Sequence, residues 1–189
     1  MLSREEQREL MVIENNLDLD PVQNVWSTSY PYKCDPSVLE DNMSQAVKIM
    51  MKTEQRLLKS ENLAKKYEEQ FQDLVKRGVF KEMTSQEMAE YDRPIFYVSH
   101  HEVLKEDSAS TPLRLVTNSS LKYKGLSVND IWMKGPNTLN ECYGVQLRFR
   151  CYPVGVVCDI SKMYHRIKTR ELERNIRRVV WRNLDSELM

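Results

Sequence analysis

An apolar run that closes on a carboxylate, Tyr152-Pro153-Val154-Gly155-Val156-Val157-Cys158-Asp159, continues as Ile160-Ser161-Lys162-Met163-Tyr164-His165. Burying an ionised carboxylate without a partner is costly, so an Asp ending a valine-rich strand sits where a hard cation or hydrogen-bond donors meet it. The chemistry that Asp159 can support there is the holding of a divalent cation against an anionic substrate. The same pattern also caps helices and closes ion pairs, and on this segment alone that reading stands beside the first.

A second group of chemically capable residues is the basic series Arg166, Lys168, Arg170, Arg174, Arg177, Arg178 and Arg182, broken only by Glu171 and Glu173. Such a cluster attracts phosphate backbones regardless of sequence. It is also what a solvated helix face looks like. The whole chain balances 28 basic against 28 acidic residues, but acids outnumber bases before Pro94 and bases outnumber acids after it. Paired histidines, His100 and His101, invite a metal reading, yet no other His, Cys or acid stands at ligand spacing, so they read as structural. The four cysteines, Cys34, Cys142, Cys151 and Cys158, show no C-x-x-C pairing and read as reduced thiols.

The elements that must position these residues can be read coarsely. Residues 3 to 15 have helical character, ended by Asn15-Asn16 and Pro21, and form a peripheral helix or a loosely attached arm. Residues 20 to 38 read as an extended lead-in. From Asp41, a plausible N-cap, Ala46, Ile49, Met50, Thr53 and Leu57 recur at helical spacing. Ser60 starts a second helix with Leu63, Tyr67, Phe71, Leu74 and Val75 on one stripe, ending at Gly78. This pair reads as packed on a sheet, with a partner-binding hairpin as the alternative.

Beyond Gly78 the texture is that of strands: Val79–Met83, Ile95–Leu104 and Leu113–Thr117, with Asp107–Pro112 as a hairpin tip. Thr138 and Glu141 read as a capping box, opening a helix with Leu139, Cys142, Tyr143 and Leu147 on its apolar stripe. The strand that delivers Asp159 follows.

Several short words occur in one order: Pro31-Tyr32-Lys33-Cys34-Asp35, Arg114-Leu115-Val116-Thr117-Asn118-Ser119-Ser120, Leu126-Ser127-Val128-Asn129-Asp130, Lys134-Gly135-Pro136-Asn137, Leu147-Arg148-Phe149-Arg150, Asp159-Ile160-Ser161-Lys162-Met163-Tyr164-His165 and Val180-Trp181-Arg182. In that order they resemble the reverse transcriptase of BEL/Pao-type LTR retrotransposons, from about residue 20 to the last few positions.

The resemblance implies an α+β chain with part of a right-hand fold, the fingers plus the start of the palm, in which N-terminal helices pack on a mostly antiparallel sheet. Residues 1–38 would be the N-terminal helix and lead-in, 39–150 the fingers-like part, and 151–189 the start of the palm, cut short. Asp159 would be the first catalytic aspartate and, with the carbonyl of Ile160, a Mg2+ ligand. Tyr164 would be the aromatic wall that excludes a 2′-hydroxyl. Lys105 and Arg114 would contact the triphosphate, the guanidinium gripping oxygens in pairs and the ammonium acting as a point charge. Arg166, Lys168, Arg170, Arg174, Arg177 and Arg178 would meet an RNA or DNA template-primer.

Three departures qualify this. Glu102 stands where Pro is more usual in the family, and Thr117 and Asn118 differ from the family's habit. Reverse transcriptases of this kind also carry a Tyr-x-Asp-Asp hairpin, and no Asp-Asp pair occurs in these 189 residues. The expectation is therefore a polymerase fragment inactive alone, or one completed in trans by another polypeptide. The alternative is a co-opted module that binds nucleic acid or protein without catalysis. An unpaired strand edge at Asp159 would favour a homo-oligomer or association with the rest of a polymerase. With no apolar stretch of membrane-spanning length and no signal-peptide core near Met1, the expected location is intracellular, cytoplasmic or nuclear, without membrane attachment.

Overall fold

A computed structural model describes residues 3–105 and 112–184 of the chain. In chain order its helices are α1 (Arg4–Asn15), α2 (Met43–Leu57), α3 (Glu61–Lys76), α4 (Ser85–Glu90), α5 (Val128–Ile131), α6 (Cys142–Phe149) and α7 (Glu171–Asn175). The strands are β1 (Asp18–Asp20), β2 (Val25–Thr28), β3 (Ser99–Leu104), β4 (Leu113–Asn118) and β5 (Lys168–Thr169), so the class is α+β. The chain divides into two compact units, one made of the residues up to Pro31 with Met133–Thr169, the other of Tyr32–Trp132 with the residues from Arg170 on. Both join stretches distant in sequence, so the division crosses the segments 1–38, 39–150 and 151–189.

In the larger unit, α2 and α3 form the helical pair that the periodicity predicts. Ser60 Oγ accepts the Leu63 N–H at 3.4 Å and starts α3, while Gly78 ends the turn behind it at φ +71°, a conformation that favours glycine. Ala46, Met50, Thr53 and Leu57 are buried on α2, and Ala64, Tyr67, Phe71 and Leu74 on α3. These stripes rest on a β-hairpin, α2 against β3 and α3 against β4. The hairpin is antiparallel, running from Ser99↔Asn118 to Leu104↔Leu113. Fully burying a side chain such as Leu57 or Phe96 contributes roughly 1.5–3 kcal/mol each.

A C-terminal stretch completes this sheet edge. Phe96 N–H donates to Asn175 O at 3.2 Å, Arg178 N–H to Phe96 O at 3.0 Å and Val98 N–H to Arg178 O at 2.8 Å, an isolated parallel bridge, Tyr97↔Arg178, on the segment that leads into β3. It carries Ile176 into a core with Leu39, Phe96, Val98, Val128 and Ile131.

In the smaller unit, Ser3 and Glu6 close a capping box at the start of α1: Ser3 Oγ accepts the Glu6 N–H at 3.2 Å and Glu6 Oε2 accepts the Ser3 N–H at 2.7 Å. Asp20 Oδ1 accepts the N–H groups of Val22 and Gln23, both at 2.9 Å, and so turns β1 back antiparallel onto β2. The other edge of β2 pairs in parallel with β5.

Four expectations need correction. Val79–Met83 is not a strand; the chain leaves α3 through bends and enters α4, capped by Thr84 and Glu87. The Phe80 ring packs on Phe71, with centroids 5.2 Å apart, but no neighbouring strand pairs with the run among the described residues. The helix after Thr138 begins at Cys142 with Glu141 in the cap position and no side-chain cap bond, so Thr138-x-x-Glu141 is not a capping box. Its apolar stripe is not buried either: Leu139, Tyr143 and Leu147 are exposed. Most consequentially, the valine-rich run to Asp159 forms no strand. A strand needs a neighbouring backbone to bond and a face to cover its side chains, and this run has neither among the described residues: Val154, Val156 and Val157 are 76%, 81% and 85% exposed. It folds back after α6 instead, with the Phe149 ring so close to Gly155 that any side chain there would collide with it.

Candidate functional site

One candidate feature is the open end of the β3–β4 hairpin. Lys105 N–H donates to Pro112 O at 2.8 Å and closes the neck; the expected tip, Asp107–Pro112, lies outside the described residues apart from Pro112. Arg114 stands opposite Val103 in the register, on the same side as the pair His101↔Val116. Leu113, its neighbour in β4, is buried, and alternation therefore leaves Arg114 on the solvent side, where it and Lys105 are exposed.

His100 anchors the hairpin from beneath. It is 4% exposed, its Nε2–H donates to Val180 O at 2.8 Å, and its Nδ1 accepts the Tyr67 hydroxyl. The carbonyl can only accept, so the ring is the neutral tautomer with its proton on Nε2. Phe71 and Trp181 enclose the imidazole, with ring centroids 5.6 and 5.4 Å away. Burial pushes the His100 pKa below its usual 6.5 and the Tyr67 pKa well above the phenolic value. The structural reading of His100 agrees with this packing; His101 is exposed.

A sign follows for stability. Below 6.5 the unfolded imidazole takes a proton that the buried ring refuses, so the native state loses stability as pH falls from that value toward the depressed folded pKa. Urea unfolding at a series of pH values should show the advantage of the wild-type chain over a His100→Gln variant shrinking between about pH 7 and 5. A constant difference over that range would contradict the assignment.

The acid is placed differently. Asp159 lies exposed in the smaller unit and makes no hydrogen bond or ion pair among the described residues; it neither caps a helix nor sits in a buried ion pair. Ile160 and Tyr164 are 62% and 86% exposed. The carbonyl of Ile160 accepts the Met163 N–H at 3.2 Å, at the start of a 3₁₀ turn, Met163–Arg166. As donors for a cation, one carboxylate and one engaged carbonyl make an incomplete set, and no cluster of three or more His, Cys, Asp or Glu able to hold a metal occurs among the described residues. The residues present do not fit a two-cation centre.

The basic series divides by what its members touch. Arg166 and Lys168 are exposed in the smaller unit, where Lys168 Nζ donates to Gln23 Oε1 at 3.0 Å. Arg170 and Arg174 are exposed in the larger one. Arg177 is half-buried, donating from Nε to Glu173 O at 3.2 Å and lying 5.7 Å from the centre of the Trp132 ring. Arg178 is buried, its Nε and Nη2 both on Asn175 Oδ1 at 2.9 and 2.6 Å and its guanidinium 5.3 Å from the centre of the Tyr91 ring. Arg178 is therefore a core residue and not a contact for a phosphate backbone. Its long stem and planar head suit both roles, and charge spacing in the sequence does not distinguish them.

Three features escaped sequence reasoning. Asn42 is wholly buried and brackets the Tyr97 backbone, Glu54 and Arg182 form a near-buried ion pair, and Glu9 is buried on α1. Each depends on residues far apart in the chain. The one available signal was Glu54 falling on the apolar stripe of α2 beside Thr53 and Leu57. Comparison with models of protein families, with curated proteins and with solved structures finds no match to this chain.

Proposed function

We propose that these residues correspond to the fingers and first part of the palm of an RNA-directed DNA polymerase similar to those of BEL/Pao-type LTR retrotransposons, and that they do not polymerise DNA by themselves. The observation that carries this reading is the ordered set of sequence words ending in Asp159-Ile160-Ser161-Lys162-Met163-Tyr164-His165. The α2–α3 pair on an antiparallel hairpin with Lys105 and Arg114 exposed at its open end is compatible with a fingers role, in which both side chains meet phosphate oxygens. Asp159 and Tyr164 are the residues we assign to the nucleotide pocket, as a carboxylate ligand and a steric wall. Both are exposed, as a site awaiting further ligands requires.

Without an Asp-Asp pair in the 189 residues, the carboxylates needed for nucleotidyl transfer must come from additional polypeptide. Primer extension on an RNA template with magnesium should give no product with this chain. A version continued through a Tyr-x-Asp-Asp segment should extend the primer, and Asp159→Ala in that longer version should abolish extension. Extension by the short chain, or an Asp159→Ala version as active as its parent, would refute the proposal.

A second reading, a non-catalytic nucleic-acid-binding module, is favoured by the exposure of Arg166, Lys168, Arg170 and Arg174. It predicts duplex binding that weakens steeply with salt and needs no acid at position 159.

A further inference from the structure

The outer face of α2 carries one sign of charge. Ser44, Lys48, Lys52, Gln55 and Lys59 recur at helical spacing, which sets them in one exposed stripe along the helix and the turn that closes it, opposite the buried Ala46, Met50, Thr53 and Leu57. Arg56 borders the stripe and is already engaged, its guanidinium bonded to both carboxylate oxygens of Glu102. Lys48, Lys52 and Lys59 make no hydrogen bond or ion pair among the described residues. The acid of α2, Glu54, is turned inward onto Arg182 and offsets none of them.

A face that only meets water mixes its signs, as α3 does with Glu61 and Glu69 among Lys65, Lys66 and Lys76, all exposed. A basic residue in the last turn also complements the helix dipole, which accounts for Arg56 and Lys59 but not for Lys48 and Lys52 in the middle. Lys48 and Lys52 stand about 6 Å apart along the axis, and Lys59 about 10.5 Å beyond. Successive phosphates of a nucleic-acid strand present anions at comparable intervals, and an ammonium meets each as a point charge. An acidic protein helix fits less well. The exposed large apolar residues of this stretch, Met43, Met51 and Leu58, lie off the stripe and give a partner helix no seam to fill along it. Exposed lysine–carboxylate pairs alone contribute about 0–1 kcal/mol each, whereas each phosphate met releases condensed counterions.

We propose that the outer face of α2 is a docking surface for the phosphodiester backbone of a nucleic acid, with Lys48, Lys52 and Lys59 each meeting a phosphate. This surface depends neither on the polymerase reading nor on the series Arg166 to Arg174. Fluorescence anisotropy of the full chain with two mixed-sequence DNA duplexes, over a sodium chloride series, tests it. Both duplexes should bind. Joint replacement Lys48→Gln, Lys52→Gln, Lys59→Gln should weaken both about tenfold or more at low salt and flatten the slope of log affinity against log salt by about 2–3. The same loss of charge on α3, by Lys65→Gln, Lys66→Gln, Lys76→Gln, should change the slope by less than about 1. Lys52→Gln alone should flatten it by about 1, which keeps the test open if the triple variant fails to fold. Absence of duplex binding, wild-type affinity in the α2 variant because the Arg166 to Arg174 series carries all of it, equal losses in the α2 and α3 variants, or binding of poly-glutamate as tight as that of the duplexes would overturn the proposal.

Discussion

Glu54→Ala should destabilise the chain by about 3–5 kcal/mol, the range for removing one partner of a buried ion pair. Arg182 Nε donates to both oxygens of Glu54, at 2.9 and 3.1 Å, and Nη2 adds a bond to Oε2 at 2.7 Å. The side chains are 11% and 6% exposed, so solvent screens the pair little. Truncating Glu54 takes all three of these bonds from the guanidinium at once, and Arg182→Ala takes them from a carboxylate held almost wholly out of solvent.

The loss on truncation measures the stranded charge more than the net worth of the pair. A Glu54→Met, Arg182→Met double variant should therefore recover most of the stability, because two apolar side chains of similar length fill the space without a desolvation penalty. Urea unfolding of the four chains checks both points. Additive losses in the double variant, or a single truncation costing under about 1 kcal/mol as for a surface pair, would contradict this account. The pair ties the C-terminal stretch to α2, so its loss should also loosen the contact that His100 makes with Val180.

Asn42→Ala is the second large effect, with an expected cost of about 2–4 kcal/mol. Asn42 is wholly buried, its Oδ1 accepts the Tyr97 N–H at 2.7 Å, and its Nδ2 donates to Tyr97 O at 2.9 Å. The amide side chain thus acts as a strand neighbour, satisfying both backbone groups of a buried residue that no β-strand covers on that side. Alanine leaves donor and acceptor orphaned together. Asn42→Asp keeps an acceptor for the N–H but sets an oxygen against the Tyr97 carbonyl, so it should be as damaging at neutral pH and recover partly on acidification, as the carboxyl becomes a donor. An Asn42→Asp chain as stable as the wild type would show that the bracket contributes nothing.

Where periodicity and caps were local, the sequence was readable. The stripes of α2 and α3 bury as spaced, Ser60 and Gly78 bound α3 as their chemistry demands, and of the expected strand Ile95–Leu104 the part Ser99–Leu104 pairs with Leu113–Asn118 as a hairpin. Asp41 was one residue off as the helix cap: its Oδ1 accepts the Met43 N–H at 2.8 Å, but Asn42 occupies the cap position because it must also reach Tyr97. The run from Tyr152 to Ile160 misled for the opposite reason. Its composition is that of an interior strand, but β propensity expresses itself only against a neighbour.

The residues that could do chemistry divide along the same line. Lys105, Arg114, Asp159 and Tyr164 were singled out by their residue types and by the resemblance of the words around them, which propose phosphate, cation and sugar as their partners. Which basic residues remain available to a ligand was not. Arg174 is exposed and Arg178 is buried on Asn175 and Tyr91, although both lie in one run of charge. Types and short-range spacing determined the helices, the hairpin and the list of candidates, because those depend on interactions within a few residues. Burial was decided only by tertiary structure, because Arg178, Glu54 with Arg182, Asn42 and Glu9 owe their environments to atoms brought together from remote parts of the chain.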